Sequence, residues 1–289
     1  MANLVSFSSG AGSSGGDKQC GALRDDRVLE LGRDGDLLGL IQEGGSALEA
    51  VRAKVAAWDG TDHALESVTL HAPVSQPSKV IGIGLNYIDH FREAGLDVPE
   101  HPVIFTKHSS SVIGPYDDVV CYRDICQELD YEVELGVVIG KPAFRVSEAA
   151  ALDYVFGYTA VNDVSARDLQ LRAPGQWDFG KSLDTFCPYG PGIVTADDIT
   201  DPQALDLCLR VNGVEKQRSN TSNMVFGVAN LIAFLSQGIT LLPGDLIATG
   251  TPFGVGLGMK PPVYLDDGDV CEAEVDGIGV IRNKIRFAS

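Results

Sequence analysis

The stretch LDYEVELGVVIG, residues 129–140, constrains this chain more than any other. Side chains alternate along a strand, so Tyr131, Val133, Leu135, Val137 and Ile139 fill one face. Glu132 and Glu134 share the other face, about 7 Å apart along the chain. Val138 continues that second face, so the two carboxylates do not stand on an ordinary solvated surface. Like charges this close raise one another's proton affinity unless a cation neutralises them. Burying either one unpaired is costly. Two kinds of partner meet that demand, a lysine or arginine, or a divalent metal ion. A metal needs a further oxygen ligand, and Asp163, at the end of the apolar run in TAVNDVSARD, offers one. Three carboxylates without a Cys/His cluster select a hard cation, Mg²⁺ or Mn²⁺. On these residues alone the ion pair and the metal stand equal.

The texture around this strand sets the fold class. From residue 79 onward come many short strands, KVIGIGLNY, PVIFTK, YVFGYTAVNDV and GPGIVT, then a hairpin marked by Asn212-Gly213. GVANLIAFLSQG reads as a helix. Strands dominate and do not alternate with helices, which disfavours a doubly wound sheet and predicts a mostly β, α+β fold. Residues 1–75 read as a small N-terminal α/β unit, with RVLELG and LLGLIQ as strands. SALEAVRAKVAAW reads as a helix with Ser46 as N-cap and Glu49 three residues later. The Pro-containing HAPVSQPSK links it to residues 76–289, the larger unit.

The charge balance narrows the partners. With 40 acidic and 22 basic residues the net charge is −18, which disfavours nucleic acid or an anionic membrane. No apolar run approaches a membrane span. The opening MANLVSFSSGAGSSGG lacks the basic-then-apolar order of a secretory signal. The six cysteines form no C-x-x-C pair and read as reduced and structural. The expected location is the cytoplasm, with mitochondria as the alternative.

Three more clusters carry chemistry. In GLNYIDHFREAG, His90 and Glu93 lie three apart and share a face if helical. A carboxylate beside an imidazole is the arrangement of a general base that activates water, and the segment reads as a flap. An exposed, solvated pair is the plainer reading. In DFGKSLDTFCPYGPG, Lys181 is either a surface lysine or an ammonium that holds a carboxylate or enolate oxygen. In ATGTPFGVG, Gly250 and Gly254 flank Thr251, whose hydroxyl and N–H suit an anionic group. The Lys-Ser/Thr ending of a phosphate loop is absent.

Together and in this order, GLNYIDH, PVIFTKHSSSVIGP, DYEVELGVVIGK, NDVSARDLQ, FGKSLDTFCPYGP, NTSNMVF and PGDLIATGTPFGVG resemble the fumarylacetoacetate hydrolase superfamily. The resemblance is closest to its domain-containing branch of acylpyruvate hydrolases and oxaloacetate decarboxylases, and covers residues 79–289. It implies a mixed β-sandwich roll in homodimers and a small 2-oxo acid substrate. It implies Mg²⁺ or Mn²⁺, with Ca²⁺ able to substitute, on Glu132, Glu134 and Asp163. His90, Glu93 and Lys181 match catalytic positions, and Arg167, Gln170 and Thr251 match substrate-binding ones. Thr185 matches a position near the metal, and Asp89, before the catalytic histidine, is assigned no ligand role. Phe91, Leu96 and Trp177 are expected to line the space for the substrate tail. The expected reaction is hydrolysis of a C–C bond in an acylpyruvate through a metal-stabilised enolate. Decarboxylation of oxaloacetate and isomerisation or lysis of a 2-oxo acid use the same site, and a catalytically idle binding homologue is the rival from another class.

Overall fold

The computed structural model describes residues 3–10, 17–89, 98–172 and 175–288. A large mixed sheet forms the spine. Its order runs His63–Ala64, Arg27–Asp34, Gln19–Arg24, Asn3–Ser9, Cys187–Thr195, Val155–Asn162, Val133–Ile139, Leu246–Ala248, Val80–Gly84 and Val103–Lys107. A second sheet of five strands orders Val214–Asn220, Asp206–Val211, Val270–Val275, Gly279–Ala288 and Val119–Tyr122. The fold is the mostly β, mixed-sheet class read from the sequence.

The Val133–Ile139 strand lies at the centre and is buried on both faces. Its odd-numbered residues pack with Leu207, Leu209, Ala273 and Ile281 of the second sheet and with Leu231 and Leu235 of the Val228–Ser236 helix. Val138, on the glutamate face, packs with Leu40, Ile41, Val80 and Phe156. Glu134 therefore projects from a strand with no solvent side, and Glu132, just before it, is buried too, which raises the demand for a partner.

The N-terminal strands extend the same sheet, since Leu4 lies opposite Ile193. Between the two expected units, Ala72 and Val74 are buried. Two local expectations are corrected. LLGLIQ forms not a strand but the helix Leu38–Glu43, because Leu37, Leu40 and Ile41 recur at helical spacing and all bury. The helix Gly45–Ala56 begins after Gly44, which occupies the cap position without a side-chain bond, so Ser46 is not its N-cap. The Asn212-Gly213 hairpin forms as expected, with φ of 52° and 76° and Val211 opposite Val214.

Candidate metal and substrate site

Strand register brings the carboxylates together. Val133 pairs with Asn162 and Glu134 with Val161, and the Asp163 N–H donates to the Glu132 carbonyl at 2.9 Å. Asp163 is thus opposite Glu132, and cross-strand partners share a face. Glu134, two residues on, shares it too. One carboxylate oxygen from each residue lies within 4.8 Å of the others. All three residues are buried, at 7%, 1% and 0% exposure in chain order.

Around them stand three buried cations. Lys181 Nζ lies 2.8 Å from Glu132 Oε2 and 2.7 Å from Asp163 Oδ2. Lys107 pairs with the other oxygen of Asp163. Arg167 spreads its guanidinium over Glu132 Oε1 at 2.6 Å, Asp130 Oδ2 at 2.9 Å and Gln170 Oε1 at 2.9 Å. Asp130 also accepts the backbone N–H groups of Gly256 and Leu257.

Ion pairing and metal binding are therefore not exclusive here. Four buried carboxylates, Asp130, Glu132, Glu134 and Asp163, face three buried cations, leaving one negative charge over. It falls at Glu134, which among the described residues has no salt-bridge partner and accepts one N–H, from Gly250 at 2.9 Å. Burial, then the charges of Asp163 and Glu132, push its carboxyl well above the usual carboxylate range. Burial also pushes Glu132 upward, but Lys181 and Arg167 outweigh it and hold that carboxyl low. Lys181 behaves in mirror fashion: burial favours the neutral amine, yet Asp163 and Glu132 keep it protonated. A carboxylate oxygen with one donor keeps acceptor capacity for a cation. An all-oxygen cluster with surplus negative charge fits a hard divalent ion.

Gly250 is where the backbone makes this possible. Its φ is +100°, and a Cβ there would stand 2.7 Å from the Cβ of Asn86. Asn86 is itself clamped, donating to the carbonyls of Thr249 and Phe226 and accepting from the Phe226 N–H.

Beside the carboxylates opens a cavity of about 280 Å³ bordered by Glu132, Arg167, Gln170, Lys181 and Thr251. Trp177, expected to line the space for the substrate tail, borders it too, so six residues singled out from the sequence meet in one place.

The family model "Fumarylacetoacetate (FAA) hydrolase C-terminal" matches residues 79–286. The chain belongs to the fumarylacetoacetate hydrolase family. The human protein named oxaloacetate tautomerase FAHD2A, mitochondrial, is 51% identical over 219 residues, 75% of this chain and 69% of that one. A fumarylacetoacetate hydrolase from Exiguobacterium antarcticum superposes over 100% of both chains, with a TM-score of 0.84 and 38% identity. A maleylpyruvate hydrolase from Sphingobium sp. SYK-6, solved with manganese(II) and pyruvate, covers 100% of both, with a TM-score of 0.82 and 31% identity.

Within the family frame, Lys181 is not a surface lysine; it ends the short helix Trp177–Lys181 and is 2% exposed. Thr251 donates its hydroxyl to the Val133 carbonyl and accepts from Gln217. Thr185 spends its hydroxyl on the backbone of Val120, donating to the carbonyl and accepting from the N–H. Asp89 accepts from Ser219 at 3.4 Å. His90 and Glu93 lie outside the described residues, as do Phe91 and Leu96. Lys107, Asp130 and Gln217 belong to the cluster and were not singled out from the sequence.

Proposed function

We propose that the chain is a divalent-metal-dependent enzyme that moves a proton at the carbon beside the carbonyl of a small 2-oxo acid, as in keto–enol interconversion of oxaloacetate. Glu134 supports this reading, because a buried carboxylate without a cation among the described residues, beside a substrate-sized cavity, calls for an ion at that spot. A bound divalent ion supplies Lewis acidity at a 2-oxo acid's oxygens. Lys181 holds its positive charge at the cavity floor, where negative charge develops as a carbonyl becomes an enolate. Arg167 holds the side-chain oxygen of Gln170, so the amide's N–H₂ group stays free to donate. His90, supported by Glu93, is the acid–base group that carries the proton.

Hydrolysis of an acylpyruvate C–C bond is the second reading, favoured by the likeness to a maleylpyruvate hydrolase. There His90 would deprotonate a water. Mg²⁺ and Mn²⁺ are both proposed ions, and homodimers the proposed assembly, checked by light scattering. Mitochondria, named for the human relative, stand beside the cytoplasm as proposed compartments.

The test follows the ultraviolet band of enolic oxaloacetate, and separately acetylpyruvate, with Mg²⁺, with Mn²⁺ and after chelation. Metal-dependent acceleration of enol decay, lost in Glu134→Ala, is expected. His90→Ala should slow the reaction by roughly 10²–10⁴-fold with metal affinity unchanged. No acceleration of either substrate by any metal overturns the proposal.

A further inference from the structure

Val133 stands between Glu132 and Glu134, and its two edges are held differently. On one edge, Glu132 is fastened by its neighbour strand: its carbonyl accepts the Asp163 N–H, and its N–H donates to the side-chain oxygen of Asn162, each at 2.9 Å. On the other edge, among the described residues, the last backbone bond runs from the Thr249 N–H to the Leu135 carbonyl at 3.1 Å. Beyond it side chains take over. The Thr251 hydroxyl donates to the Val133 carbonyl at 3.0 Å, and the Val133 N–H donates to Gln217 Oε1 at 2.9 Å. Gln217 Nε2 donates in turn to Thr251 Oγ1 and to the Pro252 carbonyl, each at 2.9 Å. Val133, Gln217 and Thr251 thus close a ring of three hydrogen bonds. The ring also fixes which way the amide points, since an N–H must meet its oxygen and a carbonyl its nitrogen.

Gln217 is the one buried residue of Val214–Asn220, the outer strand of the second sheet. Stripping water from an amide is costly unless its bonds are remade, so an apolar side chain would fill that place more cheaply. Gly254 presses the same loop onto this strand: its φ is +96°, and a Cβ on it would stand 2.2 Å from the Lys216 carbonyl oxygen.

We propose that Gln217 is a positioning residue that holds the Thr251 segment in register with the two glutamates, so that a 2-oxo acid on the ion meets Thr251 in one geometry; this rests on the 2-oxo acid reading of the site. Thr251 and Glu132 border the cavity and Gln217 does not, so it acts through Thr251. The carboxylates have supports of their own. Asn162 and Asp163 fix Glu132, and the Gly250 N–H that Glu134 accepts is fixed by Thr249 and Asn86. Losing the amide therefore frees Thr251 to Phe253 and leaves the ion ligands in place.

The test reads two affinities of the full chain, that for Mn²⁺ by electron paramagnetic resonance and that of the Mn²⁺-loaded chain for pyruvate by water-proton relaxation. In Gln217→Met, pyruvate should bind about tenfold more weakly, the worth of one well-made hydrogen bond, with Mn²⁺ affinity within about twofold of the parent. Gln217→Glu keeps an acceptor for Val133 but has no N–H₂ for Thr251 and Pro252. It should lose pyruvate affinity likewise, and it stands in where Gln217→Met does not fold. Thr251→Val opens the same ring, so adding it to either variant should cost little more than the larger single loss. Unchanged pyruvate affinity, equal losses for Mn²⁺ and pyruvate, or single losses that multiply in the double variant each overturn the positioning role alone. No pyruvate binding by the Mn²⁺-loaded parent overturns the 2-oxo acid reading, and the positioning role with it.

Discussion

Glu134 sets the residue-scale behaviour of this protein. Its carboxyl is raised above its ordinary value of 4.5 by burial and by Asp163 and Glu132. Without metal, the folded state therefore keeps a proton that the unfolded chain releases above about pH 4.5. By linkage, that contribution to stability declines as pH rises from there through the folded-state value. Glu134→Gln removes the group. In a chelator, the variant should melt above the parent at pH 8, by roughly 2–4 °C for each kcal/mol recovered, and the two should converge toward pH 4.5. Mg²⁺ should then stabilise the parent and not the variant, read by thermal unfolding. Metal binding to the parent near neutral pH should release up to about one proton, seen as a dependence of calorimetric heat on buffer ionisation enthalpy. The Glu132–Glu134 pair was legible because alternation along a strand is a local property; the convergence of Asp163 on it is set by the pairing of two strands. Lys107 was not, because it follows exposed Ile104 and Thr106 and its partner Asp163 is 56 residues away. Gln217 serves Val133 across 84 residues, a separation no local pattern records.

At the scale of elements, the turn after Leu246–Ala248 does the positioning. Gly250 offers its N–H to Glu134 only because a positive φ and close approach to Asn86 leave no room for a side chain. Gly250→Ala should cost more than about 1 kcal/mol of stability, measured by denaturant unfolding. It should also weaken Mg²⁺ binding, because the donor moves with the backbone. The sequence marked this loop through its glycines and Thr251, without revealing which glycine was bound to which geometry. The segment LLGLIQ misled for a related reason. Six residues carry too little periodicity to separate helix from strand, and the packing of Leu40 and Ile41 under Val138 decides.

Across the whole molecule, one sheet crosses the division at residue 75. Asn3–Ser9 pairs with Cys187–Thr195 on one side and with Gln19–Arg24 on the other. Removing residues 1–75 should leave an unpaired edge and uncover Tyr189, Ile193 and Val138. The truncated chain is expected to aggregate, or to unfold without a cooperative transition, in size-exclusion chromatography and calorimetry. The sequence suggests a division near residue 75, but the pairing across it was not legible, because antiparallel partners nearly two hundred residues apart leave no mark in either segment.

The central strand, buried on both faces, carries a historical consequence. The odd-numbered residues of Val133–Ile139 are hydrophobic core, and on its even side Glu134 serves the site while Val138 packs in a second core cluster, so almost any substitution there damages fold or chemistry. Novelty in such a lineage has to be written elsewhere, at rim positions such as Leu85, Leu171, Trp177 and Leu257, which line the cavity yet carry less of the core. A saturation-mutagenesis library scored for folding and for substrate profile should be nearly barren along the strand. At the rim it should be rich in variants that fold, keep the ion and change what they accept. One inherited strand could in this way outlast many changes of substrate.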